Sequence, residues 1–124
     1  MKKNIVVTTG IYDLIKEQIR RKKVSRPEAD ILNEQLKNAQ QVLRKDLPQD
    51  VVTVNRKVTI KDHTLNTEEV YTFVDSNKQR LSKRKFAIGS KMGLITVGCS
   101  VGDQFSWPFE TGERKIEILN VETV

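Results

Sequence analysis

Ile88-Gly89-Ser90-Lys91-Met92-Gly93-Leu94-Ile95-Thr96-Val97-Gly98 is the stretch that decides the fold, together with Val101-Gly102-Asp103 and Phe105-Ser106-Trp107 just beyond it. A strand ends on a small residue, and Ser90 then stands where a helix N-cap belongs. One or two apolar helical turns follow over Met92–Val97, and Gly98 closes them. Gly102-Asp103 marks a turn, after which Phe105 and Trp107 alternate about Ser106 as in a half-buried strand. A short helix between two strands of this kind predicts a sheet with one apolar face and a helix laid over it.

On either side of this stretch the side-chain period is two. Val52, Val54, Val58 and Ile60 alternate with polar neighbours, and Val70, Thr72 and Val74 do so after the polar turn His63-Thr64-Leu65-Asn66-Thr67. Phe86 and Ile88 make a further short strand. Downstream, Thr111-Gly112-Glu113 turns the chain into a last strand in which Ile116 and Ile118 alternate with Lys115, Glu117 and Leu119. Val51–Val124 therefore reads as a mostly antiparallel sheet.

Upstream the period changes to that of a helix. Ile11, Leu14, Ile15 and Ile19 share one helical face, and Arg20-Arg21-Lys22-Lys23 follows as a fully charged run. Pro27 is disfavoured inside a helix but welcome in its first turn, and Ser25 with Glu28 three residues on has the form of a capping box. In the second helix Ala29, Leu32, Leu36, Ala39 and Leu43 recur as a coiled-coil seam, with Glu34, Lys37, Asn38, Gln40 and Gln41 on the wet side. The short connection predicts an antiparallel hairpin. Pro48 within Lys45–Asp50 ends the second helix and serves as the joint.

The chain has 124 residues, 37% hydrophobic and 31% charged, which suits one compact domain with an appendage. A lone cysteine, Cys99, excludes an internal disulfide and fits a reducing compartment. Lys2 and Lys3 precede too short an apolar run for a signal peptide or a membrane span, so the expectation is a cytoplasmic protein with no membrane partner. A net charge of +6 invites an acidic partner, either nucleic acid or protein. No catalytic constellation stands out. His63 beside Asp62 has no second His or Cys for a metal, no elbow motif supports a triad, and Cys99 reads as a packing residue.

The order from Val51 to Val124 resembles the carboxy-terminal domain of the Gre transcript-cleavage factors. Val101-Gly102-Asp103 with Trp107 is more like their short relatives, the regulator of nucleoside diphosphate kinase (Rnk-like) branch. The resemblance implies an FKBP-like sheet-and-helix domain, over residues 48–124, behind a helical hairpin over residues 1–47. It also implies docking on bacterial RNA polymerase, at the rim helices of the largest subunit beside the secondary channel. Family members usually carry Asp-Ser-Pro where this chain has Gly89-Ser90-Lys91, so Gly89, Ser90, Lys91 and Met92 are the implied polymerase-binding segment.

Gre factors bring paired carboxylates at the hairpin tip to the polymerase Mg²⁺, and such an ion needs oxygen ligands in a negative field. Here the tip carries Arg20, Arg21, Lys22, Lys23 and Arg26 around Glu28 and Asp30, a field that repels the ion. A second basic run comprises Lys78, Arg80, Lys83, Arg84 and Lys85, with Phe86 the one interleaved aromatic, too few for a stacking platform on single strands. It reads as a solvated edge or a protein contact ahead of a DNA-binding surface.

The expectations are therefore an α+β chain, a short coiled-coil hairpin followed by an FKBP-like antiparallel sheet with one short helix. Its function is that of a non-enzymatic elongation regulator without cofactor or metal, binding RNA polymerase and competing with Gre-type factors. Two alternatives stand beside it: a short transcript-cleavage factor using Glu28 and Asp30, and a basic nucleic-acid-binding module.

Overall fold

The computed structural model describes residues 4–124. The order is β1 (Val6–Val7), α1 (Thr9–Arg20), α2 (Arg26–Asn38), β2 (Gln40–Gln41), β3 (Arg56–Asp62), β4 (Thr67–Val74), β5 (Lys85–Ala87), α3 (Lys91–Thr96), β6 (Gln104–Phe109) and β7 (Gly112–Thr123). A five-stranded sheet runs β5-β4-β3-β7-β6, and β1 pairs with β2 in a separate two-stranded ladder. The architecture is α+β.

The sheet is mixed, a correction to the antiparallel expectation. β3 pairs antiparallel with β4 and β7, and β6 with β7, but β5 lies parallel to β4. A parallel neighbour needs a crossover. Here the chain supplies it with two 3₁₀ turns, Ser76–Lys78 and Leu81–Lys83. Val52 and Val54 also fall outside the strand predicted for them. Val51 makes one bridge to Ser100, the amide of Val52 donates to the Cys99 carbonyl, and β3 begins at Arg56.

β7 keeps its apolar face through a bulge. Asp62 pairs with Ile116 and Ile60 with Ile118, but Val58 pairs with Val121, so the register slips between Thr59 and Ile60. The extra residue changes the parity of β7, and Val121 packs against the same core as Ile116 and Ile118.

Helix α1 starts as its sequence dictates, with Thr8 accepting from the Ile11 amide, and Ile11 and Ile15 are buried. It ends in a Schellman arrangement in which Lys22 N–H donates to Ile19 O and Lys23 N–H to Gln18 O. Lys22 takes the left-handed position at φ 56°, where glycine is usual.

Helix α2 stops at Asn38, a correction to the seam drawn through Ala39 and Leu43. Ala39 is extended, Gln40 N–H donates to Ile5 O and Val42 N–H to Val7 O, and Leu43 is 64% exposed. Of the five predicted seam residues, only Leu32 and Leu36 are buried. Backbone pairing with Ile5–Val7, both ends of which are buried, overrides the helical propensity of the segment. Gln40 and Gln41 face solvent from a strand.

Ile11, Ile15, Leu32 and Leu36 of the helices belong to the same buried cluster as Val58, Ile60, Phe73, Phe105, Trp107, Ile116 and Ile118 of the sheet and Leu94 and Ile95 of α3. Two glycines permit the closest approaches. A Cβ at Gly93 would lie 2.1 Å from the Ile88 carbonyl oxygen; Gly98 has φ +81°, and a Cβ there would lie 2.6 Å from Ile5 Cβ.

Candidate functional site

The segment Gly89–Met92 connects β5 to α3 and lies under the helical pair. A Cβ placed on Gly89 would lie 3.6 Å from Leu14 Cδ2 and from Gln18 Nε2 of α1, so a small side chain would fit there without a clash. Ser90 holds the N-cap position of α3 in extended geometry, yet its side chain makes no capping bond; the helix closes through Leu94 N–H to Ser90 O. The role of Ser90 as a side-chain cap is therefore not realised. Lys91 is exposed, with its ammonium 3.9 Å from Glu28 Oε2 and 5.2 Å from the Phe109 ring centre. Met92 is half-buried against the core.

Glu28 is the centre of this region. The capping box forms as its sequence requires: Glu28 N–H donates to Ser25 Oγ at 3.3 Å, and Ser25 N–H donates to Glu28 Oε1 at 3.1 Å. The second oxygen, Oε2, accepts from Trp107 Nε1 at 2.8 Å. Glu28 is 6% exposed, while Trp107 is completely buried. Burial pushes the Glu28 carboxyl up, but the bonds from Ser25 and Trp107 and the charge of Lys91 outweigh it and hold the group below its ordinary 4.5.

The other tip residues divide differently. Arg21, Lys22, Arg26 and Asp30 are exposed, and Arg20 and Arg21 are both paired to Glu17. Beside them a cleft of about 360 Å³ is bounded by Lys23, Ser25, Pro27, Lys91 and the β6 end at Pro108–Glu110. On its other flank the Arg114 guanidinium stacks on Phe109 at 3.7 Å while donating to Asp62 at 2.6 Å. Burial raises the Asp62 carboxyl, but amides of Leu65 and Thr64 together with Arg114 lower it further.

The basic run occupies the β5 edge of the sheet. Lys78, Arg80, Lys83 and Lys85 are exposed, and Arg80 and Lys85 bridge through their backbones. Arg84 is engaged: it takes the left-handed conformation, pairs with Glu69 at 3.1 Å and lies 5.4 Å from the ring centres of both Tyr71 and Phe86. Among the described residues there is no cluster of three or more His, Cys, Asp or Glu that could hold a metal, and no helix is long and apolar enough to cross a membrane.

Sequence reasoning placed Glu28 in its capping box and Trp107 in the core. It missed the bond between them, and it missed Arg114 over Phe109. Residues 79 apart in the chain carry no mutual signal; only an indole N–H that must find an acceptor when buried hinted at such a partner.

The family model "Transcription elongation factor, GreA/GreB, C-term" matches residues 47–123. Transcription elongation factor GreA of Clostridium botulinum (strain Eklund 17B) is 33% identical over 91 residues, covering 73% of this chain and 57% of that protein. The regulator of nucleoside diphosphate kinase of Escherichia coli K12 is 31% identical over 97 residues, covering 77% of this chain and 71% of that protein. The chain thus matches a little over half the length of its GreA relative. A prokaryotic transcription elongation factor GreA/GreB from Nitrosomonas europaea superposes with a TM-score of 0.65 at 24% identity, covering 98% of this chain and 99% of that one, which shows a shared fold. The chain belongs to the GreA/GreB family of transcription elongation factors and is a Gre-superfamily member close to the regulator of nucleoside diphosphate kinase.

Proposed function

We propose that this protein is an elongation regulator that docks on RNA polymerase beside the secondary channel and does not stimulate transcript cleavage. Residues 48–124, read as an FKBP-like domain, form the docking unit, with Ser90, Lys91 and Met92 as anchors. Residues 1–47, read as an antiparallel hairpin, carry the basic tip that obstructs or tunes the channel in competition with Gre-type factors. The site of action is the bacterial cytoplasm.

One observation carries the non-cleaving assignment. Glu28, the tip carboxylate nearest the hairpin turn, spends one oxygen on Ser25 and the other on Trp107, and is buried. Only Asp30 of the predicted pair faces solvent, and one carboxylate amid Arg21, Lys22, Lys23 and Arg26 is a poor partner for a divalent ion. Prolyl isomerase chemistry finds no support either: the recess between Tyr71, Ile60 and Met92 measures about 40 Å³, far below the roughly 300–1,000 Å³ of ligand pockets.

The test is a pull-down with core polymerase at moderate ionic strength, followed by a stalled-complex assay with Mg²⁺. The expected outcome is retention by wild type, reduced retention for Lys91→Glu, and no shortened transcript. Loss of binding by wild type refutes the docking, and restored cleavage refutes the regulator assignment.

A further inference from the structure

The sheet register assembles a basic face of which the run from Lys78 to Lys85 is only one part. Lys57 of β3 pairs with Thr72 of β4, Thr72 with Lys85 of β5, and Lys85 with Arg80 across an isolated bridge. Residues paired in this way share one face of a sheet. Lys57, Lys85 and Arg80 therefore lie in one row spanning three strand spacings, about 14 Å. Val58 and Phe73, the neighbours of Lys57 and Thr72 in their strands, are buried on the opposite face. Lys78 and Lys83 stand in the two 3₁₀ turns that lead into β5.

All of these cations are exposed, and none has an ion pair among the described residues. The nearby acids lie at the margins. Glu122 of β7 is opposite Lys57, Asp75 begins the loop, and Glu69 is already taken by Arg84.

This arrangement works against the fold. Arg80 N–H donates to Lys85 O at 2.9 Å and Lys85 N–H to Arg80 O at 3.0 Å, so two cations stand directly opposite each other. Like charges so placed destabilise a strand pair. The backbone beneath them is held in place: Gln79 Oε1 accepts from Ala87 N–H at 3.0 Å, and Arg84 Nε donates to Val70 O at 3.0 Å. An anion that spans the row relieves the repulsion.

The composition of the face selects the kind of anion. Protein interfaces are depleted of lysine and enriched in aromatics at their centre, whereas here lysines dominate and Leu81 is the one exposed large apolar side chain of the loop. Tyr71, Phe73 and Phe86 stack on one another on the core side of the sheet. A single strand therefore finds no platform for its bases. A duplex keeps its bases stacked within and offers closely spaced phosphates outside. We propose that Lys57, Lys78, Arg80, Lys83 and Lys85 form a surface that binds the phosphate backbone of duplex DNA without reading its sequence. This surface does not depend on docking through Ser90, Lys91 and Met92.

The experiment is fluorescence anisotropy of the full chain with short labelled DNA duplexes of two unrelated sequences, beside a single strand and polyglutamate. Salt is varied between about 50 and 200 mM. Both duplexes should bind equally, with a log–log salt slope of about −3 to −4.5 for three to five phosphate contacts. Arg80→Gln and Lys85→Gln should each make that slope shallower by about one, and neither should melt below wild type, since each removes a repulsion. Lys22→Gln, at the hairpin tip, should keep the wild-type slope. No saturable duplex binding up to about 100 µM protein at low salt overturns the proposal. So does an unchanged slope in the Arg80 and Lys85 variants, a single strand or polyglutamate binding as tightly as the duplex, or a loss confined to Lys22→Gln. Polymerase is absent from this readout, so either reading can fail alone.

Discussion

Replacing Glu28 by alanine tests the coupling between the helices and the sheet. The substitution leaves two donors without acceptors. Trp107 Nε1–H is completely buried, and an orphaned buried donor costs about 1–3 kcal/mol. Ser25 N–H loses the Glu28 half of the capping box, worth about 0.5–1.5 kcal/mol as an ordinary hydrogen bond. The sum is roughly 2–4 kcal/mol, which at a urea m-value of about 2 kcal/mol/M lowers the midpoint by about 1–2 M without changing the slope. Trp107→Phe keeps an aromatic ring and removes the N–H. In that background Glu28→Ala loses only the cap, so the two changes should couple by about 1–2 kcal/mol in a double-mutant cycle. Costs that add to within about 0.5 kcal/mol would refute the bond as a link between α2 and β6.

Acid should weaken the fold through the same carboxylate and through Asp62. Both sit below their ordinary 4.5 and 3.8, so the unfolded chain takes up protons first as pH falls. Their contribution is whole above those values and erodes as pH drops through the folded ones, and Glu28→Gln should flatten the urea midpoint profile between about pH 5 and pH 2. Gly93→Ala forces a methyl to 2.1 Å from Ile88 O, and a thermal melt should show a loss of at least about 3 kcal/mol or no folded protein. Lys22→Gly relieves a left-handed residue at φ 56° and should add about 0.5–1 kcal/mol of stability, read as a higher urea midpoint at unchanged slope.

The local elements were legible because each rests on interactions between near neighbours in the chain. Ser25 and Glu28 make their box, Gly98 takes its positive φ, and the β6–β7 hairpin turns beside Gly112. The alternation of Ile116 and Ile118 announced buried strand positions, and the ordered motif from Ile88 to Trp107 was enough to suggest the family that the comparisons then showed.

Longer-range pairings stayed hidden. The seam through Ala39 and Leu43 was a sound reading of periodicity, but Ile5–Val7 offers Gln40–Val42 backbone partners that no helical pattern reveals. Helical propensity differs by only tenths of a kcal/mol per residue, so a few ladder bonds and two buried apolar side chains outweigh it.

By itself, then, the amino-acid order determined which segments curl and which extend, where caps and turns fall, and that the tip would be cationic. Only the folded chain decided that β5 lies parallel to β4, that a bulge returns Val121 to the core, and that Glu28 turns inward to Trp107 instead of outward to an ion. The physical reason is range: periodicity and capping act over one or two turns, whereas an indole N–H and a carboxylate 79 positions apart meet only after the sheet has closed.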